Sequence, residues 1–401
     1  MRGIYLGIGS NIGDRAAYLA FVKHYFTICA ESFIYESPAL LPPDAPLSWN
    51  KPFLNQVLEI DSDLSPEALL AEVKQIEVLA GRKDRGRWAP RELDIDILAY
   101  GISIIETADL KLPHASIASR DFVLLPLRDI ASSWPSIDAM IANLPEIKAR
   151  IWHKRMQLMG IINITPDSFS DDGMLTTEDV VKRFERLVDD GADIIDIGAE
   201  STRPGAVALA HQEEWTRLEA PLQAIMQHPL RQRVSISVDT RHWQTAERAL
   251  MMGADIINDV SGLSDASMIA LLKDALCDIV VMHSLTIPAD KNATLPENVD
   301  PIAVVLRWKK RMVSLGISEQ RLIFDCGIGF GKTIAQSRTL IEQFGELKAS
   351  GGRWLMGHSR KSFLNVPMEM RDAATLEISK QLAVQGVDII RIHDVAGHYG
   401  L

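Results

Sequence analysis

Cysteine is scarce in this chain, and long apolar runs are missing altogether. The three cysteines, Cys29, Cys277 and Cys326, are widely spaced, odd in number and without metal-ligand spacing. A disulfide framework is thereby excluded, and a reducing, cytoplasmic setting is expected. No stretch of eighteen apolar residues occurs, and Met1-Arg2-Gly3-Ile4-Tyr5-Leu6 leads straight into a strand-like pattern. Neither a membrane span nor a signal peptide is expected. Positive charge is in deficit: 42 Lys and Arg against 53 Asp and Glu leave a net charge of −11. That argues against a nucleic-acid partner, so any anionic substrate must be met by a local basic cluster.

What is present is 401 residues, 47% hydrophobic and 24% charged, a globular composition long enough for two or three domains. Strands are expected at Ile4–Ile8, Phe53–Ile60 and Leu93–Leu98, and helices at Ala17–Cys29 and Pro66–Leu79. Patterning weakens between Asp138 and Lys154, which divides the chain into a domain over 1–140, a linker over 141–156 and a second domain over 157–401. From Gln157 a regular rhythm sets in. Short apolar strands recur at Met159–Ile162, Ile194–Ile197, Val234–Val238, Ile256–Ile257, Ile279–Met282, Leu322–Phe324, Trp354–Met356 and Ile389–Ile392. Amphipathic helical stretches separate them, which predicts a (β/α)8 barrel.

Polar residues follow every one of these strands: Asn163, Glu200 to Arg203, Asp239, Asn258-Asp259, His283, Asp325, His358 to Lys361, and His393-Asp394. In a barrel of this kind that rim is where chemistry is built. Two glycine patterns fail on spacing. Gly7-x-Gly9 with Gly13 has its third glycine one residue late for a dinucleotide fingerprint, and Gly327 to Lys332 has three residues, not four, between its outer glycines.

In the first domain, Asp94 and Asp96 project from one face of a strand, with Cα atoms roughly 6.5–7 Å apart. Such a pair can hold two magnesium ions about 3.5–4 Å apart. Five basic residues precede or flank it, Arg82, Lys83, Arg85, Arg87 and Arg91, and guanidinium forks suit polyphosphate. Magnesium with a nucleoside triphosphate is the chemistry this combination suggests. Leu6-Gly7-Ile8-Gly9-Ser10-Asn11, Phe53-Leu54-Asn55, Gly81-Arg82, Arg87-Trp88-x-Pro90-Arg91-x-Leu93-Asp94-x-Asp96 and Pro113-His114 resemble hydroxymethyl-dihydropterin pyrophosphokinase over roughly residues 1–135. The resemblance implies a ferredoxin-like α+β fold and transfer of pyrophosphate from ATP to the pterin hydroxymethyl group. It implies catalytic roles for Asp94, Asp96, Arg82 and Arg91, the two acids holding both magnesium ions. It places Glu77, Ile97, His114 and Arg120 at ATP, and Phe53, Asn55 and Phe122 at the pterin. The loop from Arg82 to Trp88 is a residue shorter than usual, which leaves Arg85 and Arg87 without assigned roles, and Lys74 stands where glutamine is usual.

The second domain offers acids on different strands (Asp239, Asp325), an amide (Asn258), a lysine (Lys361) and the cations Arg203, Arg391 and His393. Acids and an amide suit the donor-rich edge of a pterin, and cations suit a pyrophosphate leaving group. The runs Met159 to Asp171 and Asp196 to Gly205, with Asp239-Thr240, Ile257-Asn258-Asp259, Asp325-x-Gly327, Gly357-x-Ser359-Arg360-Lys361-Ser362 and Arg391-x-His393-Asp394, resemble dihydropteroate synthase over about 157–395. The resemblance implies condensation of 4-aminobenzoate with dihydropterin pyrophosphate. Asp239, Asn258, Asp325 and Lys361 would bind the pterin, Asp239 and Lys361 being catalytic. Thr202, Arg203, Pro204, Phe330 and Ser359 would frame aminobenzoate, while Asn163, with one magnesium ion, and Arg391 and His393 would take the pyrophosphate. Cys326 replaces the usual proline and Ser284 a common methionine, and the chain stops eight residues after His393, without room for an eighth helix. A homodimer through the barrel is therefore expected.

Overall fold

The structure is a computed structural model and describes residues 3–86, 88–131, 134, 136–152, 156–164, 176–200, 208–286, 290 and 293–401. Two compact units divide the chain, Met1–Lys154 and Arg155–Leu401.

The first unit begins with β1 (Ile4–Ser10), α1 (Arg15–Val22), β2 (Thr27–Glu31) and β3 (Tyr35–Ser37), followed by β4 (Phe53–Asp61), α2 (Pro66–Leu79) and β5 (Asp94–Tyr100). After a small pair, β6 (Ile105–Glu106) and β7 (Lys111–Leu112), come α3 (Asp121–Ile130), α4 (Ile137–Ala142) and β8 (Arg150–Ile151). The antiparallel sheet runs β5-β1-β4-β3-β8, with β2 also paired to β4. That is the expected ferredoxin-like α+β arrangement. Two expectations need correction. The first helix stops at Val22, because β-branched Thr27-Ile28 pairs with β4 instead. The segment read as a linker is partly structured, since Arg150 and Ile151 pair with β3 as an edge strand.

Strand alternation sorts this sheet into two faces. Ile4, Leu6 and Ile8 of β1, Leu54 and Leu58 of β4, and Ile95 and Ile97 of β5 pack with Leu19 of α1 and Leu69 and Val73 of α2. Tyr5, Val57 and Leu98 pack on the other side with Val123, Leu124 and Leu127 of α3. By the two-residue period, Gly7, Gly9, Phe53, Asn55, Asp94 and Asp96 belong to that second face.

The second unit is a closed parallel barrel. Its strands are β9 (Gln157–Asn163), β10 (Ile194–Gly198), β11 (Ser235–Asp239), β12 (Ile256–Asp259), β13 (Asp278–Met282), β14 (Leu322–Asp325), β15 (Arg353–Met356) and β16 (Ile389–Ile392). Between them lie α5 (Thr177–Asp189), α6 (His211–Met226), α7 (Trp243–Met251), α8 (Ala266–Asp274), α9 (Pro301–Val313), α10 (Ile334–Glu342), α11 (Phe344–Ala349) and α12 (Arg371–Val384). After β16 the chain makes one short turn, Ala396–His398, and no α-helix follows that strand. Among the described residues no helix is long and apolar enough to cross a membrane.

Inside the barrel, Met159, Ile194, Ile256, Val280, Ile323, Leu355 and Ile389 form an apolar floor. At the amino-terminal ends of the strands an aspartate repeats. Asp193 accepts from Leu158 N (2.9 Å), Asp255 from Ile236 N (2.8 Å) and Asp388 from Trp354 N (2.9 Å). Each carboxylate thus ties its own strand to the strand before it, and Asp255 is also paired with Arg231 at 2.6 Å. Asp255→Ala leaves that amide without its acceptor and the guanidinium without its counter-charge, with only Val234 O and Gly253 O still accepting from it. It is expected to lower the stability of the second unit by about 1–3 kcal/mol. Urea unfolding followed by barrel tryptophan fluorescence measures this, and an unchanged midpoint would contradict it.

Candidate active sites

In the first unit the strand register gathers Asp94, Asn55 and Phe53 around one glycine. Gly9 lies opposite Asp94 on β5 and Asn55 on β4. Two strand spacings put Asp94 and Asn55 roughly 10 Å apart across it. A Cβ on Gly9 would sit 3.4 Å from Asn55 Oδ1 and 3.5 Å from Phe53 Cδ1. Glycine at this position leaves no side chain between acid and amide, while a Cβ on Gly7 would instead meet Leu98 Cδ2 at 3.2 Å. Asn55 Nδ2 donates to Ser37 Oγ at 3.0 Å, which orients the amide.

Asp94 is held by Arg82 (2.9 Å) and Arg91 (2.8 Å). Burial and then the charge of Asp94 push the Asp96 carboxyl up, while His114, Lys74 and Arg120 pull the other way. Two carboxylates side by side are a hard-oxygen donor set suited to magnesium, which completes its shell with substrate phosphates and water. Among the described residues no cluster of three or more His, Cys, Asp or Glu side chains that could hold a metal ion occurs. Glu77, expected near ATP, is buried; it accepts from Ile95 N at 2.8 Å and pairs with Arg82 at 2.5 Å, fixing strand and arginine together. Ile97, also expected at ATP, is buried. Its side chain lies in the core on the opposite face of the sheet, so only its main chain is available to a nucleotide. Arg85 is engaged by the buried Glu92 at 2.6 and 2.9 Å, closing its own loop. Arg120 lies over the Phe122 ring at 5.7 Å.

In the second unit the same period builds the site. Two residues above the apolar floor come Asp196, Asn258, Asp325, Gly357 and Arg391, and β11 turns Ser237 and Asp239 inward. Arg391 Nε donates to Asp196 Oδ2 at 2.6 Å and its Nη2 to Asp239 Oδ2 at 3.0 Å. Ser237 Oγ donates to Asp196 Oδ1 (2.6 Å) and Asn258 Nδ2 to Asp196 Oδ2 (3.1 Å). Burial, then the neighbouring Asp196, drives the Asp239 carboxyl up to about 8, with Arg391 opposing. Burial also raises Asp325, against the pull of Lys361. Lys361 is lowered to about 8 by burial, with Asp325 opposing. Its ammonium donates to Ile328 O at 2.6 Å and lies 4.7 Å from the centre of the Phe330 ring. Ser359 and His393 share a hydrogen bond of 2.9 Å between Oγ and Nδ1.

The structure thus brings Asp239, Asn258, Asp325, Lys361, Phe330, Ser359, Arg391 and His393 to one end of the barrel, and places Asn163 at the same rim, opposite Gly198. Thr202, Arg203, Pro204 and Arg87 lie outside the described residues. Asp196 was not among the expected site residues, although it is fully buried and links three strands. Its signal was a lone charge inside Ile194-Ile195-Asp196-Ile197, in step with the interior face.

Comparison with known proteins matches the two units one by one. The family model described as a pterin binding enzyme matches residues 159–393, and that of 7,8-dihydro-6-hydroxymethylpterin-pyrophosphokinase matches residues 5–132. The folate synthesis bifunctional protein of Chlamydia caviae is 34% identical, covering 98% of this chain and 95% of its own. That of Arabidopsis thaliana is 33% identical, covering 98% and 93%. Among solved structures, dihydropteroate synthase from Anaplasma phagocytophilum with bound 6-hydroxymethylpterin-monophosphate is 33% identical, with a TM-score of 0.56 over 61% of this chain and 95% of that one. The Xanthomonas albilineans enzyme with 4-aminobenzoic acid is 34% identical, with a TM-score of 0.55 over 61% and 89%. The chain therefore belongs to the folate synthesis bifunctional proteins, which join a hydroxymethyl-dihydropterin pyrophosphokinase and a dihydropteroate synthase in one polypeptide.

Proposed function

We propose that the two reactions run on the two polar faces just described, one residue set for each. In the first unit ATP lies with its phosphates at Asp94 and Asp96, met by Arg82, Arg91, His114 and Arg120, and the dihydropterin lies between Phe53 and Phe122 with Asn55 on its edge. The bare backbone at Gly9 supports this, since no side chain stands between the acid and the amide. Two magnesium ions held by Asp94 and Asp96 would neutralise phosphate charge and polarise the transferring group. The pterin hydroxyl oxygen bonds to the β-phosphorus of ATP, AMP leaves with the electron pair of the broken bond, and the hydroxyl proton is lost.

In the second unit the pterin edge faces Asp239, Asn258, Asp325 and Lys361, and a third magnesium ion is assigned to Asn163. The bond between the exocyclic carbon and the pyrophosphate oxygen breaks with its electron pair on the pyrophosphate, beside Asn163, Arg391 and His393. The amine of 4-aminobenzoate, framed by Phe330 and Ser359 together with Thr202, Arg203 and Pro204, then attacks the carbon and loses a proton. The buried acids stabilise the delocalised cation between these events. The paired interior layer of Asp196, Asp239 and Arg391 is the observation that carries this assignment.

The two activities are expected to separate by mutation. Asp96→Asn removes one charge from the metal-binding pair and should slow pyrophosphokinase turnover about a thousandfold, roughly 4 kcal/mol, with synthase turnover on supplied dihydropterin pyrophosphate held within a few-fold. Lys361→Ala should do the reverse. Loss of both activities from either change in a folded protein would sink the assignment of separate sites.

The barrel is further proposed to act as a homodimer in the cytoplasm. Val384 on α12 is 90% exposed, and Met368 and Met370 are exposed as well, which supports association. No disulfide joins the three cysteines among the described residues, which supports a reducing compartment. Sedimentation at micromolar concentration should show a dimer, and a monodisperse monomer would contradict this.

A further inference from the structure

The stretch from Gly327 to Thr333 has the glycines and lysine of a phosphate loop without its spacing. The structure gives its lysine another use. Lys332, in the loop between β14 and α10, is only 6% exposed. Its Nζ lies 2.9 Å from Phe330 O, 3.0 Å from Gly327 O, 3.2 Å from His283 O and 2.9 Å from His283 Nδ1. A phosphate loop aims its main-chain N–H groups at an anion. Here main-chain carbonyls converge on a cation from the loop's own sequence.

An ammonium has three protons and no acceptor lone pair. His283 Nδ1 must therefore be the acceptor, with the ring proton on Nε2. His283 follows β13, so Lys332 ties the end of one strand to the loop after the next. Gly327 makes the approach possible. Its φ is +68°, and a Cβ there would fall 2.0 Å from His283 O. The span that the lysine pins at Gly327 and Phe330 carries two groups that face the site: Ile328 O, which accepts from Lys361, and the Phe330 ring beside the same ammonium.

We propose that Lys332 is a positioning residue of the synthase reaction, holding the 327–331 loop so that Phe330 frames 4-aminobenzoate and Lys361 is fixed at the pterin. Lys332 acts through those groups, and the proposal rests on the reading that Phe330 lines the aminobenzoate pocket.

Lys332→Met keeps an unbranched stem and removes the charge; His283 O, His283 Nδ1 and Phe330 O lose the ammonium, and Gly327 O keeps only Phe330 N. In the full chain it should raise KM for 4-aminobenzoate about tenfold or more, because displaced framing groups misalign the substrate, while pyrophosphokinase turnover in the same sample stays unchanged. Phe330→Ala should also raise that KM, and the double variant should be no worse than Phe330→Ala alone, since coupled residues do not add. Additive effects, or a normal KM in Lys332→Met where Phe330→Ala raises it, would overturn the role of Lys332 and leave the pocket standing. No effect of Phe330→Ala would overturn the pocket and the proposal with it. Should Lys332→Met fail to fold, the native protein decides. With nitrogen-15-labelled histidine, and His283→Gln assigning the signal, His283 should show the neutral tautomer protonated at Nε2 at pH 7. A proton on Nδ1 would refute the arrangement.

Discussion

A guanidinium inside a β-barrel has to be neutralised where it sits, and Arg391 meets that requirement with Asp196 and Asp239. Breaking a buried pair by removing one partner costs about 3–5 kcal/mol, so these three side chains hold one another in place. The rest of the layer follows from them. Ser237 and Asn258 satisfy further lone pairs of Asp196, and Asp325 stands opposed by Lys361. Three carboxyl groups then face two cations. Burial is why Asp239 and Asp325 hold their protons more tightly than ordinary carboxyls, and at Asp239 the neighbouring Asp196 adds to it. A delocalised pterin cation entering the layer would relieve the imbalance, which links the resting electrostatics to the chemistry assigned to the site.

Both units reach their sites by the same rule. A strand alternates its faces, and where one face changes from apolar to polar a site appears. In the barrel this happens two residues above the floor formed by Met159, Ile194, Ile256, Val280, Ile323, Leu355 and Ile389. In the first unit it happens along β5, where Asp94 and Asp96 share a face with Leu98 while Ile95 and Ile97 join the core behind. Glycine completes each surface by absence of a side chain, at Gly9 in the sheet and at Gly357, whose Cβ would lie 3.5 Å from Asp325 Oδ2.

Much of this was legible from residue order. The Asp94-x-Asp96 pair, the eight strands and the polar residues after each of them follow from period and spacing alone. Asp196 was passed over because it sits within the strand, where an apolar run is read as core. Lys332 was seen only as part of a failed phosphate loop, since spacing can reject a motif without saying what its lysine touches. The resemblance places Ile97 at the nucleotide, and alternation sends its side chain to the other face, which leaves the main chain for that role. The early end of α1 and the edge strand at Arg150–Ile151 depend on pairing with distant strands, which local periodicity does not report. The aspartates at Asp193, Asp255 and Asp388 gain meaning only once the barrel closes and each carboxylate meets the amide of the strand before it.

The central claim is that this one polypeptide carries out two successive steps at two sites. It is tested most directly by supplying the purified chain with hydroxymethyl-dihydropterin, ATP, magnesium and labelled 4-aminobenzoate, and following label into dihydropteroate. The account predicts labelled product from the chain alone, with AMP and pyrophosphate released in equal amounts. Product that forms only from pre-made dihydropterin pyrophosphate, or only when a separate synthase is added, would contradict it.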